Sequence, residues 1–167
     1  EVFSEWLAMF VGTYDARNFA RLEEGKNPIR TIHSCTPWRV DGRVVGFEII
    51  GEAFLWNQVR RTAMALHRMC IGEISPEAVR EAIDHPEKEA DFGVAPPDWL
   101  MLWGVHWEHL PLDSTAVDIQ CFSAPPAGLA VERTMRKRWR EAARHELKSL
   151  LHNEWARLGE LPIVKHR

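Results

Sequence analysis

The sequence predicts an α+β fold in which helices pack on one face of an antiparallel sheet, followed by a C-terminal helical extension. Two β-rich segments flank Asp41-Gly42, a dipeptide that favours two-residue hairpin turns. Apolar residues spaced by three and four positions predict helices before and after that hairpin. The 167 residues, 46% of them hydrophobic, suffice for one globular core. We expect a globular region over residues 1–110, a Pro-rich linker over 111–128 and a helical extension over 129–167.

The first predicted element is a short helix near the N-terminus. Ser4 can cap it, Leu7, Phe10 and Val11 share one face, and Gly12 can end it.

A β-hairpin is the next predicted element, with strands over residues 31–35 and 44–50 on either side of Asp41-Gly42. Pro37 has no N–H to donate to a neighbouring strand. We therefore expect the first strand to be bulged at Pro37 or to lie at an edge of the sheet.

Two amphipathic helices are predicted after the hairpin. The first runs from Phe54 to Cys70, with apolar residues spaced by three or four positions along one face: Leu55, Val59, Ala63, Leu66 and Cys70. The second begins with Ser75 as N-cap and Pro76 as first helical residue, and ends at His85-Pro86. Its predicted inner face consists of Val79, Ala82 and Ile83.

The segment from Trp99 to Trp107 fits two patterns. Its three tryptophans recur every four residues, as in a helix, while its apolar residues also alternate, as in a strand. Nine largely apolar residues after Pro96-Pro97, interrupted by Gly104, favour a strand buried on both faces.

Charge is concentrated near the C-terminus. The chain carries 21 basic and 24 acidic residues, a net charge of −3. Seven basic and three acidic residues lie between Gly128 and Lys148, a local charge of +4 that leaves −7 elsewhere. We expect a long basic helix from Leu129 to Arg157 after the break at Ser123–Gly128, which is rich in Pro and Gly.

Several classes of protein are disfavoured by the sequence. Three widely spaced cysteines without a metal-ligand spacing predict a reducing compartment, the cytosol, and no metal site. A phosphate-binding loop, a nucleophile elbow and a zinc-protease helix are all missing from the sequence. The sequence has no apolar run of the roughly 20 residues that span a bilayer, so we expect no membrane partner.

Four sequence elements, in order, resemble motifs of the TruA-type tRNA pseudouridine synthases. The segment Phe54–Arg60 resembles the family's Phe-Leu-x-x-x-Val-Arg, and Gly12–Phe19 resembles its Gly-x-His-Asp-Phe-x-Asn-Phe. Residues 29–32 resemble its Arg-Thr-Ile, and 95–100 its Ala-Pro-x-Glu-x-Leu. The chain departs from the family at three positions that usually hold His, Phe and Gly, here Tyr14, Ala16 and Trp99.

This resemblance implies that residues 1–110 are the C-terminal half of a two-half catalytic domain. Arg60 matches the arginine that pairs with the family's catalytic aspartate, and Leu100 matches a leucine that packs on the target base. The aspartate belongs to an Arg-Thr-Asp-x-Gly-Val-type motif of the other half, which this sequence lacks. We therefore expect an isomerase that converts uridine to pseudouridine in the tRNA anticodon arm without a cofactor, and expect these residues alone to be inactive.

tRNA is the partner that the resemblance implies. Arg17, Arg30 and Arg61 are candidate RNA contacts, although a solvated or salt-bridged arginine explains each equally well. Arg133, Lys137 and Arg140 in the basic helix are candidate phosphate contacts, and a solvated face explains their charge equally well. The same helix carries an apolar stripe that fits a homodimer.

A non-catalytic RNA-binding or oligomerisation module of similar α+β shape stays open as the alternative. The cytoplasm is the expected location, with the nucleus or an organelle as the alternative in a eukaryote.

Overall fold

The structure is a computed structural model that describes residues 1–40, 42–102 and 133–159. It divides into two compact units, Glu1–Leu100 and Met101–Arg167. The predicted linker over 111–128 lies outside the described residues.

The described elements comprise four α-helices, three strands and two short 3₁₀ helices. They are α1 (Val2–Ala8), β1 (Gly12–Asp15), a 3₁₀ helix (Arg17–Phe19), β2 (Ile29–Val40), β3 (Arg43–Gly51), α2 (Gln58–Cys70), α3 (Pro76–Asp84), a 3₁₀ helix (Pro97–Trp99) and α4 (Arg133–Gly159).

The sheet is antiparallel, with strand order β1-β2-β3. The predicted hairpin is confirmed as β2 and β3, and Gly42 has the positive φ, +74°, that its turn requires. Asp41 itself lies outside the described residues.

The sheet has no bulge at Pro37, which is in register with Phe47; the register shifts one residue further along, between Trp38 and Arg39. The alternative of an edge strand is wrong for β2 as a whole, which is the middle strand, although β1 pairs only with its residues 29–32.

The main core forms between one face of the sheet and helices α1, α2 and α3, which confirms the predicted α+β class. Cys35, Phe47 and Ile49 contribute from β2 and β3. Phe19, on the first 3₁₀ helix, packs edge-on against Phe10 and is stacked on Phe92, with ring centroids 5.3 and 5.5 Å apart. Rings in these arrangements add stabilisation beyond the area that they bury.

The first helix differs from the prediction at both ends. Glu1, not Ser4, occupies the N-cap position, and the helix ends at Ala8. Gly12 begins β1 instead of ending α1, with a φ of +125° that suits glycine. Leu7 and Phe10 are fully buried, as expected, whereas Val11 is exposed.

Helix α2 begins four residues later than predicted, because Asn57 adopts a left-handed conformation with φ 63°. Its buried face is also rotated from the predicted one, with Val59 and Ala63 only half-buried and Cys70 exposed. The buried residues are Gln58, Thr62, Ala65, Leu66 and Met69.

Helix α3 agrees with the prediction in its cap and its inner face. The Ser75 hydroxyl accepts a hydrogen bond from the Ala78 backbone N–H at 3.2 Å, and Pro76 is the first helical residue. Val79, Ala82 and Ile83 are buried.

The strand predicted over 99–107 is wrong in its first residues. Pro97–Trp99 form a 3₁₀ turn, which the Leu100 N–H closes by donating to the Pro97 carbonyl at 3.1 Å. Leu100 and Leu102 are exposed, so this part is not buried on both faces. Residues 103–107 lie outside the described residues.

The long C-terminal helix is present as α4 over its described length. Ala143 and Leu147 are buried, and Leu150 and Leu151 are half-buried, which gives this helix one apolar stripe. No helix in the described part of the chain has the length and apolar character needed to cross a membrane.

Candidate active site

Hydrogen bonds bring the four motif elements together in two pairs. Strand β1 pairs with the start of β2, so that Thr13 lies opposite Thr31 and Asp15 opposite Ile29. Helix α2 is joined to the segment after Gly93 through Arg60 and Ala95, whose backbone N–H donates to the Arg60 carbonyl at 3.1 Å. Elements that are separated in sequence therefore meet in the fold.

Asn57 and Gln58 define the start of α2. The Gln58 backbone N–H donates to the Leu55 carbonyl at 3.0 Å, while Gln58 Oε1 accepts from the Leu55 N–H at 2.9 Å. This exchange satisfies groups that a helix N-terminus leaves unpaired. Asn57 precedes it in the left-handed region, which asparagine tolerates better than most residues. The turn fixes where α2 begins and thus where Arg60 lies.

Arg60 is held at two of its five N–H donors. Nε donates to the Ala95 carbonyl at 2.7 Å, and Nη1 donates to Asn57 Oδ1 at 2.9 Å. The remaining donors, on Nη1 and Nη2, make no hydrogen bond among the described residues. Since Nε is occupied, a carboxylate would bind to the remaining donors on the two Nη groups. Arg60 is thus oriented by its neighbours and retains the donors that would bind an anion.

Leu100 follows the second 3₁₀ helix and is 49% exposed. The same segment begins at Ala95, which Arg60 contacts, so Leu100 lies on the peptide that is anchored to α2. A half-exposed leucine offers an apolar surface that a flat base can cover.

Arg17 and Arg61 are both in ion pairs. Arg17 forms two guanidinium hydrogen bonds to Asp15 Oδ2, at 3.0 and 2.7 Å. Its backbone N–H donates to Asp15 Oδ1 at 3.0 Å, so Asp15 caps this turn. Burial disfavours the Asp15 carboxylate, but the bonds from Arg17 outweigh this effect and lower the pKa of Asp15. Arg61 Nη1 binds Asp91 Oδ1 at 2.8 Å.

Arg30 is folded back on its own strand. Its Nη1 donates to the carbonyls of Asn27 and Ile29 at 2.8 and 2.6 Å. Its Nε is buried without a hydrogen-bond partner among the described residues. A contact of Arg30 with RNA stays a prediction, as it does for Arg17 and Arg61.

The predicted phosphate contacts of α4 are only partly described. Arg140 and Lys148 are both exposed on this helix. Arg133 and Lys137 belong to α4, but their side chains lie outside the described part.

Sequence reasoning missed a contact between Arg21 and Trp56. The Arg21 Cζ lies 4.4 Å from the centroid of the Trp56 ring, within the range of a cation–π interaction. The Arg21 N–H also donates to the Trp56 carbonyl at 2.8 Å. Because 35 residues separate the two, no local pattern could have indicated the pair.

A buried polar cluster behind α2 was also missed. Burial raises the pKa of Tyr14 to about 12, and the nearby Gln58 side chain opposes this rise only in part. Burial likewise raises the pKa of the Cys35 thiol to about 12, which makes it a poor nucleophile. Gln58 and Thr62, which lie off the predicted apolar face, contribute buried polar groups here. Within the described ranges, no three His, Cys, Asp or Glu residues are grouped so as to hold a metal ion.

Residues 7–108 match the model of a protein family described as tRNA pseudouridine synthase. The tRNA pseudouridine synthase A of Thermococcus sibiricus is 36% identical over 115 residues, which are 66% of this chain and 41% of that protein. The protein of the same name from Pyrococcus furiosus is 35% identical over 103 residues, 61% of this chain and 38% of that protein. The chain thus spans about two fifths of the length of these relatives. Since the family match covers more than half of the chain and includes all four motif elements, this chain belongs to the tRNA pseudouridine synthase family, TruA type.

Proposed function

We propose that this chain is the arginine-bearing part of an enzyme that isomerises uridine to pseudouridine in tRNA. The observation that carries the proposal is the geometry of Arg60, which two neighbours hold while three of its five N–H donors make no hydrogen bond among the described residues. A guanidinium a few ångströms from a carboxylate lowers the pKa of that carboxylate by roughly 1–3 units and fixes its direction. Arg60 would therefore orient a catalytic aspartate toward the target nucleotide.

The reaction is an isomerisation that consumes no co-substrate. The bond between C1′ and N1 of uridine breaks, the uracil turns, and C1′ bonds to C5. The proton at C5 leaves and N1 gains one, so atoms and electrons balance. Leu100 would pack against the uracil during this turn, because an apolar side chain holds a base without fixing it by hydrogen bonds.

The aspartate is proposed to come from polypeptide other than these 167 residues. The family motif that contains it does not occur in this sequence, and the named relatives are longer than the part matched here. We further propose a uridine of the anticodon arm as the target, from the family resemblance, and the cytosol as the location, from the three widely spaced cysteines.

Tritium release from tRNA labelled at C5 of uridine tests this proposal. We expect turnover by the polypeptide translated from the complete reading frame, and none by these 167 residues alone, although they melt cooperatively. Turnover by the 167 residues alone would contradict the division between two parts. If the complete polypeptide binds tRNA without releasing tritium, the chain is a non-catalytic RNA-binding module instead.

A further inference from the structure

Trp56 is exposed to an unusual degree for a tryptophan. It is 53% exposed, just before the start of α2, while the Arg21 guanidinium covers part of its ring at 4.4 Å. The hydrogen bond from the Arg21 N–H to the Trp56 carbonyl fixes the two backbones together. The indole is therefore held in place yet presents an open surface.

A small cavity of about 100 Å³ adjoins this ring, and its lining is mainly basic and aromatic. Three cationic side chains and one carboxylate contribute to it, an excess of two positive charges. Its lining includes Arg21, Glu23, Lys26, Arg30, Phe54 and Trp56. The positive charge of this cavity contrasts with the net negative charge of the chain outside residues 128–148.

We propose that Trp56 and Arg21 form a stacking platform for an unpaired nucleotide of the RNA, with Lys26 and Arg30 receiving the adjoining phosphates. This rests on the proposed function, because it names a contact for the same substrate. An aromatic face is suited to any base, and stacking on one contributes about 1–3 kcal/mol per base. Unpaired loop nucleotides are the RNA elements whose bases are available for stacking.

The platform is next to the candidate active site. Trp56 precedes Asn57, whose side chain accepts the hydrogen bond from Arg60. Trp56 thus lies four residues before Arg60 in the chain, and Asn57, between the two, contacts the Arg60 guanidinium. We infer that the platform holds a nucleotide beside the target uridine and so helps to position it.

An RNA partner explains the charges better than a protein partner does. A protein interface typically has an apolar centre, and this cavity instead places cations around one indole. Phosphate next to a base is the ligand that matches both parts of the surface.

The experiment measures binding of the 167-residue chain to two fluorescein-labelled RNA octamers, one of uridines and one with an abasic ribose at every position. Trp56→Ala should weaken binding of the uridine octamer about tenfold and leave the abasic octamer unaffected. Trp56→Phe, which keeps an aromatic ring, should retain binding within about threefold. Lys26→Ala should weaken both octamers and reduce the salt slope by about 0.7.

Arg80→Ala is the matched control for lost charge. Arg80 lines a separate groove with Glu77 and Glu81, so its removal should leave the salt slope unchanged. Equal binding of the uridine octamer by wild type and Trp56→Ala would overturn the platform. If that variant instead lowered the sedimenting mass, Trp56 would belong to a protein interface.

Failure of the platform and failure of the proposed function give different results. If the complete polypeptide releases tritium and Trp56→Ala binds the uridine octamer as tightly as wild type does, the platform is rejected and the proposed function is not. Weaker octamer binding by Trp56→Ala without tritium release by the complete polypeptide supports the platform and rejects the enzymatic function.

Discussion

The start of α2 and the C-terminal helix α4 are both rich in arginine, yet they present it differently. In α2, Arg60 is bound at two donors by Ala95 and Asn57 and keeps its remaining donors for a ligand. In α4, Arg140 and Lys148 are exposed on a helix that has a local charge of +4 around them. An oriented guanidinium suits a catalytic role, because stabilisation of a transition state depends on the direction of the donors. A charged helix suits attraction of phosphates, which depends mainly on the number of charges.

The largest effect is expected from Arg60→Lys in the complete polypeptide. Lysine has no planar pair of donors, so the aspartate loses its orientation in the transition state. We expect turnover to fall by about 1,000-fold while the Kd for tRNA changes less than about twofold. Tritium release gives the first value and a filter-binding assay gives the second; wild-type turnover in this variant would remove Arg60 from the site.

The next largest effect is expected from removal of α4, which should change the affinity for tRNA and not turnover. Truncation at Ser123 removes its basic residues, and each lost phosphate contact changes the salt slope of log affinity by roughly 0.7–0.9. With two to four contacts, we expect about 10- to 100-fold weaker binding in 0.15 M salt and a slope flatter by about two to four units.

A homodimer through α4 is the competing explanation. The stripe considered for it includes Leu147, which is already buried within the chain and offers little surface to a second subunit. If truncation changes the sedimenting mass from dimer to monomer and leaves the salt slope alone, α4 is a dimer contact and not an RNA contact.

A smaller effect on turnover is expected from Asn57→Gly. Glycine accepts the φ of 63° without strain, so the start of α2 should be preserved while the bond to Arg60 Nη1 is lost. We expect kcat to fall about tenfold with KM nearly constant, because the guanidinium is less well oriented in the transition state. Asn57→Asp keeps an acceptor and should retain more of the activity, which a merely structural role of Asn57 would not explain.

The smallest effect is expected from Asp91→Asn. The Gly93 N–H, and then Arg61, hold the pKa of Asp91 below its usual value against slight desolvation. A lowered pKa contributes stability above the unfolded value of roughly 4, and this contribution is lost as the pH falls through the folded value. The exposed pair should contribute less than about 1 kcal/mol.

Urea denaturation between pH 3 and pH 7 measures this contribution. Asp91→Asn should make the free energy of unfolding less dependent on pH below about pH 4. Asp84→Asn changes the same charge at the exposed end of α3 and is the control. Identical pH dependence in the two variants would show that the Arg61 pair is not a stabilising contact.

Local signals in the sequence predicted α3 and the hairpin, because Ser75-Pro76 and Asp41-Gly42 act through their immediate neighbours. Strand β1 was missed, since four residues carry little periodicity and this strand depends on pairing with residues 29–32. The motif resemblance indicated Arg60, but its hydrogen bond to Ala95, 35 residues away, could not be derived from the local pattern. The hydrogen bond from Arg60 Nη1 to Asn57 likewise depends on the left-handed conformation of Asn57, which no pattern in the sequence indicates.

Asn18 affects the order in which this fold is assembled. Its buried amide nitrogen donates to the carbonyls of Ala82 and Lys88, each at 3.0 Å, and its oxygen accepts from the Ala90 N–H at 3.2 Å. These bonds close loops of 64 to 72 residues, which span most of the unit Glu1–Leu100, and closing loops of this length costs conformational entropy. The hydrogen bonds of Asn18 therefore stabilise this unit only when it is nearly completely folded, and they make its unfolding more cooperative.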